Sequence, residues 1–225
     1  QIPKLVDSTF LLPGTVDGER FRIMPTSKEF LGKYHLQDKK IILTVGRLDA
    51  TERRKGYDKV IEALPRVLQK IPSAGYVIVG EGNDRGRIEK LISHLSLDDK
   101  VVMAGGVEEG VLSDFYNLAD VYAMPSSQEG LGIVFLEALA CGTPVVAGNT
   151  DGSRDAVLNG KLGILVNPEN TAEIADAIIL ILERKIPSLV NRKVLREAIL
   201  NVYGLNKFQE RVKTLLDIFV RKSDS

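Results

Sequence analysis

Residues 120–149 read DVYAMPSSQEGLGIVFLEALACGTPVVAGN, and their pattern predicts the fold class of the chain. It begins with the apolar run VYAM and ends with the apolar run VVAG, each as long as a buried strand. Between them lie a glycine-rich loop and a helical pattern at 131–140. A strand, a helix and a second strand in this order predict a parallel pair, because parallel neighbours need a crossover connection.

Six apolar runs of this kind occur along the chain. They lack the polar alternation of half-exposed strands, which suits strands buried on both faces of a parallel sheet. The six runs are IILTVG (41–46), GYVIVG (75–80), KVVMAG (100–105), DVYAMP (120–125), PVVAGN (144–149) and GILVNP (163–168).

Helical patterns alternate with these runs. They lie at 60–71, 87–95, 112–118, 131–140 and 174–182. Pro65 should kink or shift the first helix, and Asn170 with Glu173 resembles a capping box before the last. The alternation predicts an α/β fold with a Rossmann-like, doubly wound parallel sheet.

The two ends of the chain have different patterns. Residues 1–38 show no sustained periodicity and predict a linker or loop. Residues 39–187 form the expected Rossmann-like domain, and residues 188–225 carry only helical patterns. Because the sequence begins with glutamine, we expect it to be cut from a longer chain.

Composition argues against several classes of protein. The 30 basic and 30 acidic residues cancel, which disfavours a general nucleic-acid binder or a membrane-surface protein. No apolar run approaches the roughly 18 residues that span a bilayer. Cys141 is the only cysteine, which favours a reducing compartment and hence a cytoplasmic location. His35 and His94 lie far apart, and no cluster has metal-ligand spacing, so no metal site is expected.

Ligands of such sheets bind outside the carboxyl ends of the strands, in the strand-to-helix loops. The first loop carries Arg47 and Lys55, which either hold phosphate oxygens or are merely solvated. The second loop, at 80–86, has the spacing G-x-G-x-x-x-G, which a tight turn explains better than a nucleotide fingerprint. In the third loop, Gly105 and Gly106 either let a flat ring approach or form a plain turn.

The fourth loop joins Glu129, Gly130 and Gly132 to the helix that carries Glu137. Free N–H groups at this helix start favour an anion, and Glu129 either serves a ligand or balances the helix dipole. Glu137 lies among apolar residues and needs a partner, either a ligand hydroxyl or a backbone amide. Eight residues along a helix span roughly 12 Å, whereas glycosidase carboxylates stand about 5–9.5 Å apart. The spacing therefore favours two ends of an extended ligand with an anion between them.

Four motifs now stand in a fixed order along the chain. They are Arg47 with Lys55-Gly56, AGGV at 104–107, EGLG at 129–132 with Glu137-Ala138, and GTPVV at 142–146. This set resembles the C-terminal half of retaining GT-B glycosyltransferases of the glycosyltransferase group 1 family (family four), over about residues 9–220. The resemblance implies a two-lobed enzyme whose C-terminal lobe binds a nucleotide-diphosphate sugar.

The resemblance also assigns roles to the matching positions. It implies that Arg47 and Lys55 bind the diphosphate, together with the amides of Gly130, Leu131 and Gly132. These two cations would stabilise the leaving diphosphate, which gives them a catalytic role.

The other matching positions would bind the rest of the donor. The resemblance implies that Glu129 contacts hydroxyls of the sugar and acts with the two cations in catalysis. Glu137 would bind the ribose, and Gly106 with Val107 would line the base. Residues 12–21 resemble the linker between lobes, and residues 206–220 resemble a final helix that crosses back to the N-terminal lobe.

The implied reaction is retaining transfer of a sugar, from a UDP-sugar by preference, to a saccharide or lipid-linked acceptor without a metal or other cofactor. The acceptor site, and any membrane association, would belong to the missing N-terminal lobe. We therefore expect the isolated chain to bind nucleotide and to be inactive in transfer. The alternatives are a nucleotide-sugar epimerase or phosphorylase of the same fold, and a non-catalytic nucleotide-sugar-binding module.

Three departures from the family pattern affect this interpretation. About three extra residues separate Arg47 from Lys55, so Arg53 or Arg54 could take the place of the lysine. Asp155 stands where the family usually has a glutamate, and a methionine replaces an aromatic residue in the third strand.

Overall fold

The computed structural model describes residues 10–223 and the side chains of residues 10–218, so residues 1–9 and 224–225 of the predicted end segments lie outside it. Its centre is a six-stranded sheet in which every neighbouring pair is parallel. The strands are β1 (Lys40–Val45), β2 (Ala74–Val79), β3 (Val101–Gly105), β4 (Val121–Met124), β5 (Val145–Gly148) and β6 (Gly163–Val166). All six predicted strands are therefore confirmed, each within two residues at either end.

Helices connect the strands and follow them at the C-terminal end. They are α1 (Lys28–Lys33), α2 (Tyr57–Lys70), α3 (Arg85–His94), α4 (Leu112–Leu118), α5 (Ile133–Ala140), α6 (Ser153–Ala156), α7 (Thr171–Leu182), α8 (Pro187–Val190), α9 (Arg192–Tyr203) and α10 (Leu205–Ser223). Two 3₁₀ helices, Ala50–Lys55 and Glu109–Val111, lie in the loops after β1 and β3.

The strand order is β3-β2-β1-β4-β5-β6, which is the order of a Rossmann-like fold. The chain moves outward from β1 to β3 and then returns to the other side of β1 with β4. The switch point therefore lies between β1 and β4, and the loops that follow these two strands border it. This arrangement confirms the predicted doubly wound parallel sheet.

Helix α2 continues through Pro65 as one element, although the sequence predicts a kink or shift there. Buried side chains on both sides of the proline, including Ile61 and Val67, hold the helix on the core. The helix also packs against α7. Tertiary packing thus maintains the helix despite the hydrogen bond that proline removes.

The segment at 10–38 packs on the domain, although its sequence predicts only a linker or loop. Val16 forms a parallel bridge with Gly204, and the side chain of Phe21 is buried. Ser27 caps the short helix α1 by accepting a hydrogen bond from the backbone of Phe30. Because α1 buries none of its residues, it leaves no apolar periodicity in the sequence. The role of this N-terminal segment as a linker between lobes stays a prediction.

The C-terminal helices pack on the same domain. Helix α9 contacts α5, and it ends at Gly204, as the sequence predicts. Helix α10 follows at once and leaves Leu205, Leu216 and Ile218 exposed. No helix within residues 10–223 combines the length and the apolar character that a membrane crossing demands.

Candidate functional site

The loops after β1 and β4 touch each other at the switch point. The backbone N–H of Ser127 donates to the carbonyl oxygen of Arg54 at 2.9 Å. Gly56 has a positive φ of 73°, and a Cβ there would lie 2.6 Å from the carbonyl oxygen of Pro125. Glycine at this position therefore allows the two loops to meet, and the loops bring their charged side chains together.

Lys55 lies between two acids at this junction. Its Nζ is 3.0 Å from Oε1 of Glu129 and 3.6 Å from Oε2 of Glu52. The lysine side chain is only 15% exposed, and its Cδ would lie 3.3 Å from a Cβ at Gly46. The structure thus brings together Lys55 and Glu129, which are 74 residues apart in sequence.

Arg53 and Arg54 have partners other than Glu129 among the described residues. Arg53 donates through Nε and Nη2 to Asp84, and Arg54 contacts Glu52 and donates to the carbonyl of Thr51. The side chain of Arg53 is 52% exposed. Its partner Asp84 is buried.

Asp84 anchors the first loop through hydrogen bonds with Arg53 and with the backbone of Leu48. Burial favours its neutral form, but hydrogen bonds from Arg87, Arg53 and Tyr57 hold the pKa of this carboxyl well below its usual range. The backbone N–H of Asp84 also donates to the carbonyl of Leu48 in the first loop. Sequence reasoning missed this residue, since two of its three partners, Arg53 and Tyr57, lie 31 and 27 residues away. The second loop, which contains Asp84, is thus a structural turn, as its glycine spacing predicts.

Arg47 lies on the solvent-exposed side of the site. Its Nη2 lies 2.9 Å from Oε1 of Glu52, and its side chain is 79% exposed. A cation that is both anchored at one end and open to solvent is free to contact an anionic ligand.

The loop after β5 fixes the backbone beside Glu129. Oδ2 of Asp151 accepts from the N–H of Glu129 at 2.6 Å, and the N–H of Gly152 donates to the Glu129 carbonyl at 2.9 Å. Neither Asp151 nor Gly152 was expected in the site. An Asp-Gly pair after a strand signals only a turn, so nothing in the local sequence reveals these two hydrogen bonds. Together they form a clamp on the backbone of Glu129.

Replacing Gly152 by alanine is expected to loosen this clamp. A Cβ at position 152 would collide with the carbonyl oxygen of Gly130, so the loop that carries Glu129 must move. We expect thermal denaturation to show a loss of about 1–3 kcal/mol in the free energy of unfolding. Gly86→Ala is the matched control, because a Cβ there meets nothing within 4 Å. Equal stability of the two variants would contradict the clamp.

At the start of helix α5 the N–H of Phe135 donates to the carbonyl of Gly132, and the N–H groups of Ile133 and Val134 have no partner among the described residues. Gly132 occupies the N-cap position with a φ of 76°, and in the described part of the chain no side chain caps this helix. A Cβ at Gly132 would lie 2.5 Å from the ring of Phe135. The helix dipole and the free amides make the segment with Gly130 and Leu131 a place for an anion, beside Lys55.

Glu137 lies on the same helix and is partly buried. Its Oε2 accepts a hydrogen bond from the hydroxyl of Tyr116 at 2.7 Å, and no described residue donates to Oε1. Burial raises the pKa of Glu137, while the Tyr116 hydroxyl and the charge of Arg20 oppose the shift. The sequence suggests a ligand hydroxyl or a backbone amide as the partner, so a tyrosine hydroxyl corrects that expectation. The free oxygen remains open to a ligand.

The third loop folds at the carboxyl end of β3. Gly105 has a φ of 76°, and the side chain of Glu81 packs against both Gly105 and Gly106. Gly106 is exposed and Val107 is half-buried. Beyond them Glu109 pairs with Arg20, and both residues are near enough to influence the pKa of Glu137. The loop is therefore close to Glu137, and its contact with a base stays a prediction.

Among the described residues, no group of three or more His, Cys, Asp or Glu side chains is arranged to hold a metal ion. The positive charge of the site comes from Arg47, Lys55 and the start of α5. Two carboxylates lie near this positive charge in sequence. Glu129 is in the loop before α5, and Glu137 is on the helix itself. Fold and site together define a Rossmann-like domain with a cavity at the switch point, which is lined by Lys55, Glu129 and the start of α5.

Comparison with known proteins names the family. The family model for glycosyl transferases group 1 matches residues 27–199. The chain therefore belongs to this family, as its motifs predict.

Named relatives agree with this assignment. A GDP-mannose-dependent alpha-(1-6)-phosphatidylinositol monomannoside mannosyltransferase from Mycobacterium tuberculosis is 38% identical over 175 residues, which are 74% of this chain and 45% of the relative. A phosphatidyl-myo-inositol mannosyltransferase from the same organism is 34% identical over 194 residues, which are 83% of this chain and 48% of the relative.

Solved structures show the same fold. A sucrose-phosphate synthase from Thermosynechococcus elongatus has a TM-score of 0.80 at 29% identity, over 94% of this chain and 53% of that chain. HepE from Anabaena, in complex with UDP and glucose, has a TM-score of 0.79 at 20% identity, over 90% of this chain and 55% of that chain. The chain thus spans about half the length of the proteins that it resembles.

Proposed function

We propose that this chain is the donor-binding half of a retaining glycosyltransferase, which moves a sugar from a nucleotide-diphosphate sugar to a saccharide or lipid-linked acceptor. The observation that carries the proposal is Lys55, held 3.0 Å from Glu129 beside the uncapped start of α5. Cations and free amides suit a diphosphate, and a carboxylate beside them suits the hydroxyls of an attached sugar. The acceptor would bind on an N-terminal lobe.

Transfer breaks the bond between the anomeric carbon and the diphosphate. The leaving diphosphate gains negative charge while the sugar becomes oxocarbenium-like. In this proposal Arg47, Lys55 and the amides at Gly130, Leu131 and Gly132 would stabilise that charge. We further propose that these groups replace a metal ion, so that transfer continues in the presence of a chelator.

Glu137 would bind the other end of the donor. Its Oε1 is free, and two ribose hydroxyls would donate to this carboxylate while Tyr116 holds its second oxygen. Gly106 and Val107, in the neighbouring loop, would then lie against the base. The diphosphate would then lie between Glu129 and Glu137, which agrees with the spacing of the two acids in sequence.

The relatives suggest which donors to test first. A named relative uses GDP-mannose, and HepE was solved with UDP and glucose. The sequence resemblance favours a UDP-sugar, so GDP-mannose and UDP-glucose are the two leading candidates. The names of the mannosyltransferases also make a phosphatidylinositol mannoside a candidate acceptor.

Glu129→Gln tests the role of Glu129 in catalysis. We expect transfer by the two-lobed protein to fall about tenfold, because the sugar hydroxyls lose a charged acceptor. Affinity for the nucleoside diphosphate should not fall, since the variant removes a negative charge beside the phosphates. Initial rates in EDTA, with titration of the nucleotide alone, separate the two effects. Equal losses in rate and in nucleotide affinity would refute the role, and dependence on added metal would refute metal independence.

A further inference from the structure

Glu52 is a buried acid that contacts both cations of the proposed diphosphate site. It lies in the 3₁₀ helix Ala50–Lys55, and its side chain is only 11% exposed. One carboxylate oxygen lies 2.9 Å from Nη2 of Arg47, and the other lies 3.6 Å from Nζ of Lys55. The two cations therefore share one anchor.

A third cation completes this cluster. Nη2 of Arg54 lies 3.3 Å from the same oxygen that contacts Arg47. Three positive charges surround this carboxylate, and Glu129 pairs with one of them, so the cluster keeps an excess of one positive charge. Glu52 itself therefore repels an approaching anion little. Within the described residues, Arg47 forms no salt bridge with another acid, so the orientation of its side chain depends on Glu52.

We infer that Glu52 is a positioning residue, which fixes Arg47 and Lys55 for the diphosphate before the donor binds. The inference rests on the proposed function. Arginine and lysine have long, flexible side chains, and ordering them at the moment of binding would weaken affinity. An ion pair formed in the free protein removes that cost from the binding step. A lysine–glutamate pair acts in this way in protein kinases, where it must be in place for the lysine to hold phosphates.

Glu52→Ala and Glu52→Gln test the inference by calorimetry. The wild-type chain is titrated with UDP, GDP and ADP, and the variants with the diphosphate that binds. We expect Glu52→Ala to raise the dissociation constant about tenfold, because both cations lose their anchor. Glu52→Gln should raise it by only about threefold, since the amide oxygen still accepts from Arg47.

The matching nucleoside, followed by ligand-observed NMR, separates positioning from general damage. Its contacts would be with Glu137 and the third loop, so its affinity should be the same in the wild type and in both Glu52 variants. Glu62→Gln is the matched control, because Glu62 is an exposed acid with a single lysine partner, Lys59. This control should leave both affinities unchanged.

Three results would overturn the positioning role while leaving the proposed function intact. They are an unchanged diphosphate affinity, a tighter diphosphate affinity, and equal losses for diphosphate and nucleoside. If the wild type binds none of the three diphosphates, the proposed function fails first, and the inference fails with it.

Discussion

Replacing Lys55 by alanine is expected to weaken the binding of the nucleoside diphosphate about 100-fold, which is roughly 2.7 kcal/mol. The lysine would lose a charge-assisted bond to the phosphates, worth about 1.5–3 kcal/mol. Its removal also leaves Glu129 without its cation partner, so this acid would then repel the diphosphate, whereas Glu52 keeps Arg47 and Arg54. Arg47→Ala should have a smaller effect, because Arg47 is exposed and neutralises only Glu52.

Calorimetry on the chain measures this effect directly. Lys59→Ala is the matched control: Lys59 lies in the first turn of α2 and pairs with Glu62 at 3.2 Å. We expect the control to bind the diphosphate as the wild type does. An affinity of Lys55→Ala within twofold of the wild type would remove the lysine from the diphosphate site.

Replacing Glu137 by glutamine is expected to weaken nucleotide binding roughly 10–100-fold while stabilising the free protein at neutral pH. The loss of affinity follows because a neutral amide is a poorer acceptor for two ribose hydroxyls than a carboxylate. The gain in stability follows because the site is partly buried and disfavours a charge, which raises the pKa of Glu137. Tyr116 can still donate to the amide oxygen.

The sign of the stability effect depends on pH. In the unfolded chain the carboxyl loses its proton near its ordinary pKa of 4.5, whereas in the folded chain it keeps the proton to a higher pH. The wild type should therefore lose stability as pH rises from 4.5 through the raised pKa, and the glutamine variant should not. Below pH 4.5 the two proteins should have similar stability.

Urea denaturation at a series of pH values, together with nucleotide titration, checks both halves of this prediction. Glu62→Gln again serves as the control, since it removes one exposed carboxylate. A variant that binds nucleotide as tightly as the wild type would remove Glu137 from the ribose site. A stability difference that is constant with pH would show that charge burial is not the cause.

The sheet could be predicted from sequence because its strands are buried on both faces and carry continuous apolar runs. The chain alternates strands with helices, and this alternation sufficed for the parallel, doubly wound arrangement. Two helices differed from what the sequence predicts. Pro65 did not interrupt α2, since packing held the helix on both sides of it. Helix α1 was missed because it buries none of its residues.

The charged residues of the site were predictable by type and by loop, but their partners were not. Arg47, Lys55 and Glu129 lie in loops that follow strands, where ligands of such sheets bind, and Glu137 lies on the helix after the fourth strand. Lys55 meets Glu129 across 74 residues, and Tyr116 meets Glu137 across 21. Such contacts depend on how separate loops fold against each other, which no local periodicity records.

The two aspartates that hold the loops of the site could not be predicted, for the same reason. Asp151 holds the backbone of Glu129, and Asp84 holds the first loop through Arg53. In sequence each aspartate looks like an ordinary turn residue. Their roles follow only from the tertiary arrangement, so sequence patterns gave no basis for singling them out.

Titration of the chain with GDP-mannose, UDP-glucose and an ADP-sugar, followed by thermal denaturation, tests whether the chain binds a sugar donor. We predict that a nucleotide-diphosphate sugar binds and stabilises the fold, by about 2.7 kcal/mol at a ligand concentration 100 times its dissociation constant. The free sugar should not, and Lys55→Ala should abolish most of the stabilisation. If none of the three nucleotide sugars changes the unfolding temperature of the wild type, the chain has no donor site between Glu129 and Glu137.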